Sequence, residues 1–124
     1  MMDGLLLFAH GARDPAWARP FEAVAGRIRS AQPGTPLALA YLEFMTPSFD
    51  EAANELVAAG CQRNHVLPLF LGSGGHVRKD VPVLVERLRE AHGSQIEWRL
   101  HEPIGDAEPV SRAMAEVALN LLNP

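Results

Sequence analysis

Short apolar runs alternate along the chain with segments whose apolar residues recur at helical spacing, with one such pair about every 30 residues. Gly4–Ala9, Leu37–Leu42 and Val66–Leu71 are nearly continuous runs, the pattern of strands covered on both faces. Ile96-Glu97-Trp98-Arg99-Leu100 alternates instead, which predicts a more exposed edge strand. Pro68 removes a ladder donor, so the third run must bulge or end there.

The intervening segments carry four helical stripes. Trp17, Phe21, Val24, Ile28 and Ala31 share one face, as do Phe49, Ala52, Ala53, Leu56 and Val57. Val81, Leu84, Val85 and Leu88 make the third; Val110, Ala113, Met114, Val117, Ala118 and Leu121 make the fourth. Thr46-Pro47 reads as an N-cap followed by proline at the first helical position, with Asp50 and Glu51 in the first turn. Gly60 and Gly93 fall at C-cap positions of the second and third helices. The order β-α-β-α-β-α-β-α with right-handed crossovers predicts a three-layer α/β fold, a four-stranded parallel sheet with helices on both faces. It occupies residues 1–124 as a single domain, without linker or low-complexity tract.

Composition narrows the classes. Hydrophobic residues make up 48% and charged residues 21%, which argues against disorder. Eleven basic against fifteen acidic residues give a net charge of −4, so bulk charge predicts no nucleic-acid partner. The one cysteine, Cys61, rules out an internal disulfide, an all-cysteine zinc site and an iron–sulfur ligand set. Neither a secretory leader nor a run near the roughly 20 residues of a membrane span is read, so a cytoplasmic protein without membrane association is expected.

In open parallel α/β sheets, ligands bind beyond the carboxyl ends of the strands. His10-Gly11-Ala12-Arg13-Asp14 follows the first run, Glu43 the second, Ser73-Gly74-Gly75-His76 and Arg78-Lys79-Asp80 the third, and His101-Glu102 the fourth. His10, His76 and Glu43 therefore converge on one rim. Imidazole and carboxylate suit a divalent transition metal, and imidazole also accepts protons near neutral pH. The competing reading is a set of loop-end polar residues that partly cap helices. His65 is assigned to the opposite end of its strand and to structure; His92 to a helix C-terminus and its dipole. Asp80, just before Val81-Pro82, reads foremost as a helix cap. Gly72-Ser73-Gly74-Gly75 matches neither a Walker loop nor G-x-G-x-x-G, and its glycines permit a tight, mobile approach to a ligand. Ser48 and Ser73 lack a nucleophile-elbow context, and Ala9 stands where a histidine phosphatase would have arginine.

Leu6-Leu7-Phe8-Ala9-His10-Gly11-Ala12-Arg13-Asp14 and the segment from Leu67 to Pro82 resemble the CbiX/SirB family of class II tetrapyrrole chelatases in its short form. Tyr41-Leu42-Glu43 with Thr46-Pro47-Ser48, and Ile104-Gly105 with Pro109, fit the same family in order. The resemblance implies a chelatase-like, flavodoxin-like fold and insertion of Co2+, Fe2+ or Ni2+, with cobalt foremost, into sirohydrochlorin. The metal is then a substrate, with no permanently bound cofactor. It also implies His10 and His76 as metal-binding and proton-handling residues, Glu43 as an assisting carboxylate, and a homodimer. Ala12 departs from the serine common in relatives. No histidine-rich or cysteine-rich tail is read, which argues against metal storage or an attached cluster.

Arg13, Arg78 and Lys79 lie in the loops where they would offset the carboxylates of sirohydrochlorin, with Ser73, Gly74 and Gly75 lining the approach. Each of these cations has an equally good reading as a solvated loop residue. The alternative function is a non-enzymatic metal or tetrapyrrole carrier using the same histidines. A receiver-like signalling module shares the βα alternation but requires an acidic pair after the first strand, which is missing.

Overall fold

The computed structural model describes residues 2–72 and 74–123, and the side chains of His76 and Val77, like Ser73, lie outside that description. Four parallel strands, β1 (Asp3–Ala9), β2 (Leu37–Tyr41), β3 (Arg63–Pro68) and β4 (Glu97–Leu100), form one sheet in the order β2-β1-β3-β4. They alternate with α1 (Arg19–Ala31), α2 (Phe49–Ala58), α3 (Gly75–His92) and α4 (Glu108–Asn120).

The unbroken apolar run of β1 follows from its central place, paired with β2 through Leu7↔Leu39 and with β3 through Leu7↔Leu67. Its side chains alternate between two cores. Leu6 and Phe8 join Ala52, Ala53, Leu56, Val81, Val85 and Leu88 beneath α2 and α3. Leu7 and Ala9 join Ala25, Leu39, Tyr41 and Leu69 beneath α1. Phe8 meets Phe49 and Phe70 edge to face, at 4.8 and 5.9 Å between centroids, which locks α2 and the exit of β3 onto the same strand. Helices therefore cover both sides of the sheet. β4 is an edge strand with Trp98 buried between exposed Glu97 and Arg99, as its alternation predicts.

Three boundaries differ from the sequence reading. β3 runs Arg63–Pro68 instead of Val66–Leu71, because polar Arg63, Asn64 and His65 continue the ladder while Pro68 ends it. His65 is thus a mid-strand residue, not one at the strand's far end. The cap of α2 is Ser48, not Thr46: its Oγ accepts from the Glu51 N–H, and Glu51 Oε1 accepts from the Ser48 N–H. This reciprocal box satisfies two orphan donors at once, whereas Pro47 stays outside the helix, after a cis Thr46–Pro47 bond. α3 begins at Gly75, with Gly74 at its N-cap, so Asp80 lies inside the helix and caps nothing. Pro82 is accommodated within α3, which is why it misled as a start signal.

The fourth helix forms as its stripe predicts, but it packs on the short 3₁₀ turn Ile104–Asp106 and buries none of its residues. No helix among the described residues is long and apolar enough to cross a membrane.

Candidate metal and tetrapyrrole site

In the order β2-β1-β3-β4, the chain leaves β1 toward one side and β3 toward the other, making β1/β3 the topological switch point. The segments leaving these two strands lie at their carboxyl ends, where parallel α/β sheets bind ligands. His10 is the first residue beyond β1. The parallel ladder continues past the strand ends, with the Leu42 N–H donating to the Ala9 carbonyl at 3.0 Å and the Glu43 N–H to the His10 carbonyl at 3.2 Å. The register that pairs Ala9 with Tyr41 therefore delivers Glu43 beside His10.

Gly11 makes this approach possible. Its φ is +93°, and a Cβ there would collide with the Glu43 carbonyl oxygen. His10 Nε2 and Glu43 Oε1 stand 3.9 Å apart, with both side chains about half exposed. That separation is too long for a hydrogen bond, but one cation held at about 2 Å from each atom spans it. The His10 ring meets Phe70 edge to face at 5.9 Å, which limits its tilt.

Apolar residues adjoin this pair along the chain: Leu42 and Phe44 flank Glu43, and Leu71 follows Phe70, whose ring His10 meets. Leu42, Phe44 and Leu71 are all exposed, Phe44 at 58% and Leu71 at 64%. Phe44 adopts φ 67°, a left-handed conformation that costs a non-glycine residue about 1–2 kcal/mol. The Arg13 guanidinium lies 4.7 Å from the centroid of the Phe44 ring. Exposed apolar groups around a metal-competent pair suit the face of a flat conjugated ring. Sequence reasoning missed Phe44 and Leu71. Phe44 shows no periodicity, and Leu71 reads as strand core until the strand is found to end at Pro68.

Beyond Phe70 opens a cleft of about 530 Å3, lined by Pro68, Phe70, Arg78, Leu100, Glu102 and Asp106 among others. Gly105 ties down the turn that carries Pro103 and Asp106 of this lining: its N–H donates to the Phe70 carbonyl at 3.0 Å, and the Leu71 carbonyl leaves no room for a Cβ.

The remaining candidates fall as follows. Gly74 and Gly75 open α3, and the Arg78 N–H donates to the Gly74 carbonyl at 3.2 Å. Arg78 and Lys79 are exposed in the first turns of α3, not in a preceding loop. Of the two, Arg78 contributes to the lining of the cleft. His76 belongs to the first turn of α3 by its backbone. Asp14 is a structural cap, accepting from the Ala16 N–H at 2.9 Å. Among the described residues no three histidine, cysteine, aspartate or glutamate side chains cluster to hold a metal.

His101 is not joined to His10. It stacks on His65, with its Nε2 2.8 Å from His65 Nδ1, and His65 Nε2 lies 3.3 Å from Asp3 Oδ2. The Arg63 guanidinium holds the Asp3 carboxyl below the usual carboxylate range, with His65 assisting, and Asp3 in turn raises the pKa of Arg63. His92 ends α3 and rests against Trp98 at 5.5 Å.

Known proteins share this architecture. The chain is 28% identical over 120 residues to the sirohydrochlorin cobaltochelatase of Saccharolobus solfataricus, covering 93% of this chain and 92% of that one. The CbiX protein of cobalamin biosynthesis from Marinobacter aquaeolei VT8 superposes with a TM-score of 0.85 at 36% identity, covering 98% of each chain. The Bacillus subtilis sirohydrochlorin chelatase SirB, solved in complex with cobalt, superposes with a TM-score of 0.82 at 22% identity, covering 97% of this chain and 51% of SirB. The sequence profile of the CbiX family matches residues 4–120, nearly the whole length, and the chain belongs to the CbiX family.

Proposed function

We propose that this chain is a sirohydrochlorin chelatase that inserts a divalent metal into the macrocycle, cobalt foremost, with iron and nickel as competitors. The observation that carries the reading is the His10–Glu43 pair, 3.9 Å apart at the switch point, with exposed Leu42 and Phe44 on either side of Glu43 in the chain, in a member of the CbiX family. The cobaltochelatase relative supports cobalt as the first choice.

Insertion exchanges two pyrrole N–H protons for M2+, so the site must hold the ion, take up two protons and release the product. His10 and His76 hold the partly hydrated ion as substrate, and each accepts a proton as pyrrole nitrogens replace it at the metal. Glu43 orients His10 or carries its proton outward. The half exposure of His10 and Glu43 suits this, because tight, closed coordination would oppose transfer. Leu42, Phe44 and Leu71 contact the macrocycle face, while Arg13, Arg78 and Lys79 meet its carboxylates and the glycine-lined opening of α3, with Ser73, admits its edge. The reading takes residues 1–124 as one CbiX-like domain, acting in the cytoplasm as a homodimer.

Anaerobic absorbance assays of sirohydrochlorin with Co2+, Fe2+ and Ni2+, each against a protein-free control, test the proposal. Catalysed spectral conversion that is lost in His76→Ala supports a chelatase. Stoichiometric macrocycle binding without acceleration by any metal identifies a carrier and overturns it. Arg78→Ala should raise the apparent KM for sirohydrochlorin with kcat little changed.

A further inference from the structure

A line of polar side chains crosses the sheet outside the His10–Glu43 site. Arg63 Nε lies 2.8 Å from Asp3 Oδ1, Asp3 Oδ2 lies 3.3 Å from His65 Nε2, and His65 Nδ1 lies 2.8 Å from His101 Nε2. The sheet register assembles it: Asp3 pairs with Arg63 across β1 and β3, and the His101 N–H donates to the carbonyl of Val66, next to His65. Two imidazole nitrogens on one tetrahedral ion stand roughly 3.3 Å apart, so the 2.8 Å contact marks a hydrogen bond in place of a metal clamp.

Donor and acceptor roles along this line follow from its charged end. Arg63 holds the Asp3 carboxyl below the usual carboxylate range, and an ionised carboxylate only accepts. Neutral His65 must therefore carry its proton on Nε2, which leaves a lone pair on Nδ1. His101 must donate to that lone pair from Nε2, which leaves its own Nδ1 as an acceptor. Nδ1 of His101 has no partner among the described residues. His101 also contributes to the lining of the 530 Å3 cleft, together with Phe70, whose ring His10 meets edge to face. At about 30 Å3 per molecule of liquid water, that space holds a chain of several.

We propose that His101 is a further proton acceptor of this cleft, positioned by His65 and Asp3, which pass its proton to solvent. This rests on the chelatase reading above, in which each insertion frees two pyrrole protons. His10 and His76 hold at most one each, and both must be emptied before the next turnover. Water in the cleft brings a proton to His101 Nδ1, and the Nε2 proton of His101 passes to His65 Nδ1. The Nε2 proton of His65 then leaves past Asp3 to solvent, both side chains being partly exposed. One proton enters and one leaves, only N–H and O–H bonds exchange, and contact with water restores both tautomers. Asp3 stabilises the passing imidazolium. The other charges on this face, Arg99 and Glu97, are paired with each other, while Arg78, Glu102 and Asp106 line the cleft side.

Two readouts test the proposal. Long-range 1H–15N correlation on the metal-free chain reads histidine tautomers without reference to insertion. Neutral His65 and His101 should both carry the proton on Nε2, and His65→Gln should free His101 to populate both tautomers. Anaerobic Co2+ insertion reads the relay itself. His101→Gln should lower kcat about tenfold, with the KM for sirohydrochlorin and the unfolding midpoint unchanged. About 50 mM 2,6-lutidine, a base too hindered to bind Co2+, should restore at least about half of the lost rate, because a diffusing base replaces a proton acceptor but not a structural contact. An Nδ1–H tautomer at His101, or a loss of rate that lutidine leaves untouched, would overturn the proposal. A wild type that inserts no metal overturns the chelatase reading and the relay with it. A wild type that inserts metal beside an equally fast His101→Gln overturns the relay alone.

Discussion

At the scale of the residue, the approach of Glu43 to His10 rests on the backbone at Gly11. Gly11 lets the chain turn against Glu43, and Gly11→Ala should cost about 2–3 kcal/mol, read as a lowered midpoint in urea denaturation. Glu43→Gln keeps the shape but removes the charge beside His10; metal insertion should fall about 10- to 100-fold with the unfolding midpoint unchanged. Phe44→Gly should raise KM for the macrocycle and stabilise the fold slightly by relieving its left-handed backbone, a combination that separates a binding role from a structural one. That His10 and Glu43 meet at one rim was legible because the strand-end rule needs only apolar runs and the polar residues after them. Phe44 and Leu71 were not, because an apolar side chain in a loop has the same letter whether it is buried or displayed. His101 was placed on the rim by its sequence position. The pleat turned it instead toward His65, a consequence of register that composition does not carry.

The elements show which local signals dominate. The Ser48–Glu51 box outweighs Thr46-Pro47 because it satisfies two backbone donors, where proline at the first turn satisfies none. Ser48→Ala should lower stability by about 1 kcal/mol, measured by urea denaturation. Glu51 and Asp3 supply the pH dependence. The Ser48 backbone N–H holds the Glu51 carboxyl below its ordinary value, and Arg63 does the same for Asp3. Between the folded and unfolded values the unfolded chain binds more protons, so the stability these groups contribute is complete above about pH 4–5 and is lost as pH falls through their folded values. Urea midpoints recorded downward from pH 6 should fall less steeply in Asp3→Asn and Glu51→Gln than in the wild type. Strand order was not readable from the runs: alternation marked β4 as an edge, but β2 is also an edge strand although its run is continuous, and internal β3 opens with polar residues. The start of β3 was missed because Arg63, Asn64 and His65 are polar, and their place in the ladder depends on partners in β1.

For the whole molecule, the parallel sheet and its switch point turn four scattered segments into one rim. The fold class was legible because each βα unit repeats its own periodicity. What α4 packs against was not, since an apolar stripe specifies that a helix needs a partner without naming it. The central claim concerns chemistry at the His10–Glu43 rim. It is tested most directly by comparing Co2+ insertion into sirohydrochlorin by the wild type and His10→Ala under anaerobic conditions, with macrocycle affinity and unfolding midpoint measured on the same samples. His10→Ala should lose at least about 100-fold in insertion rate, with affinity and midpoint nearly unchanged. Wild-type insertion by the variant would contradict it.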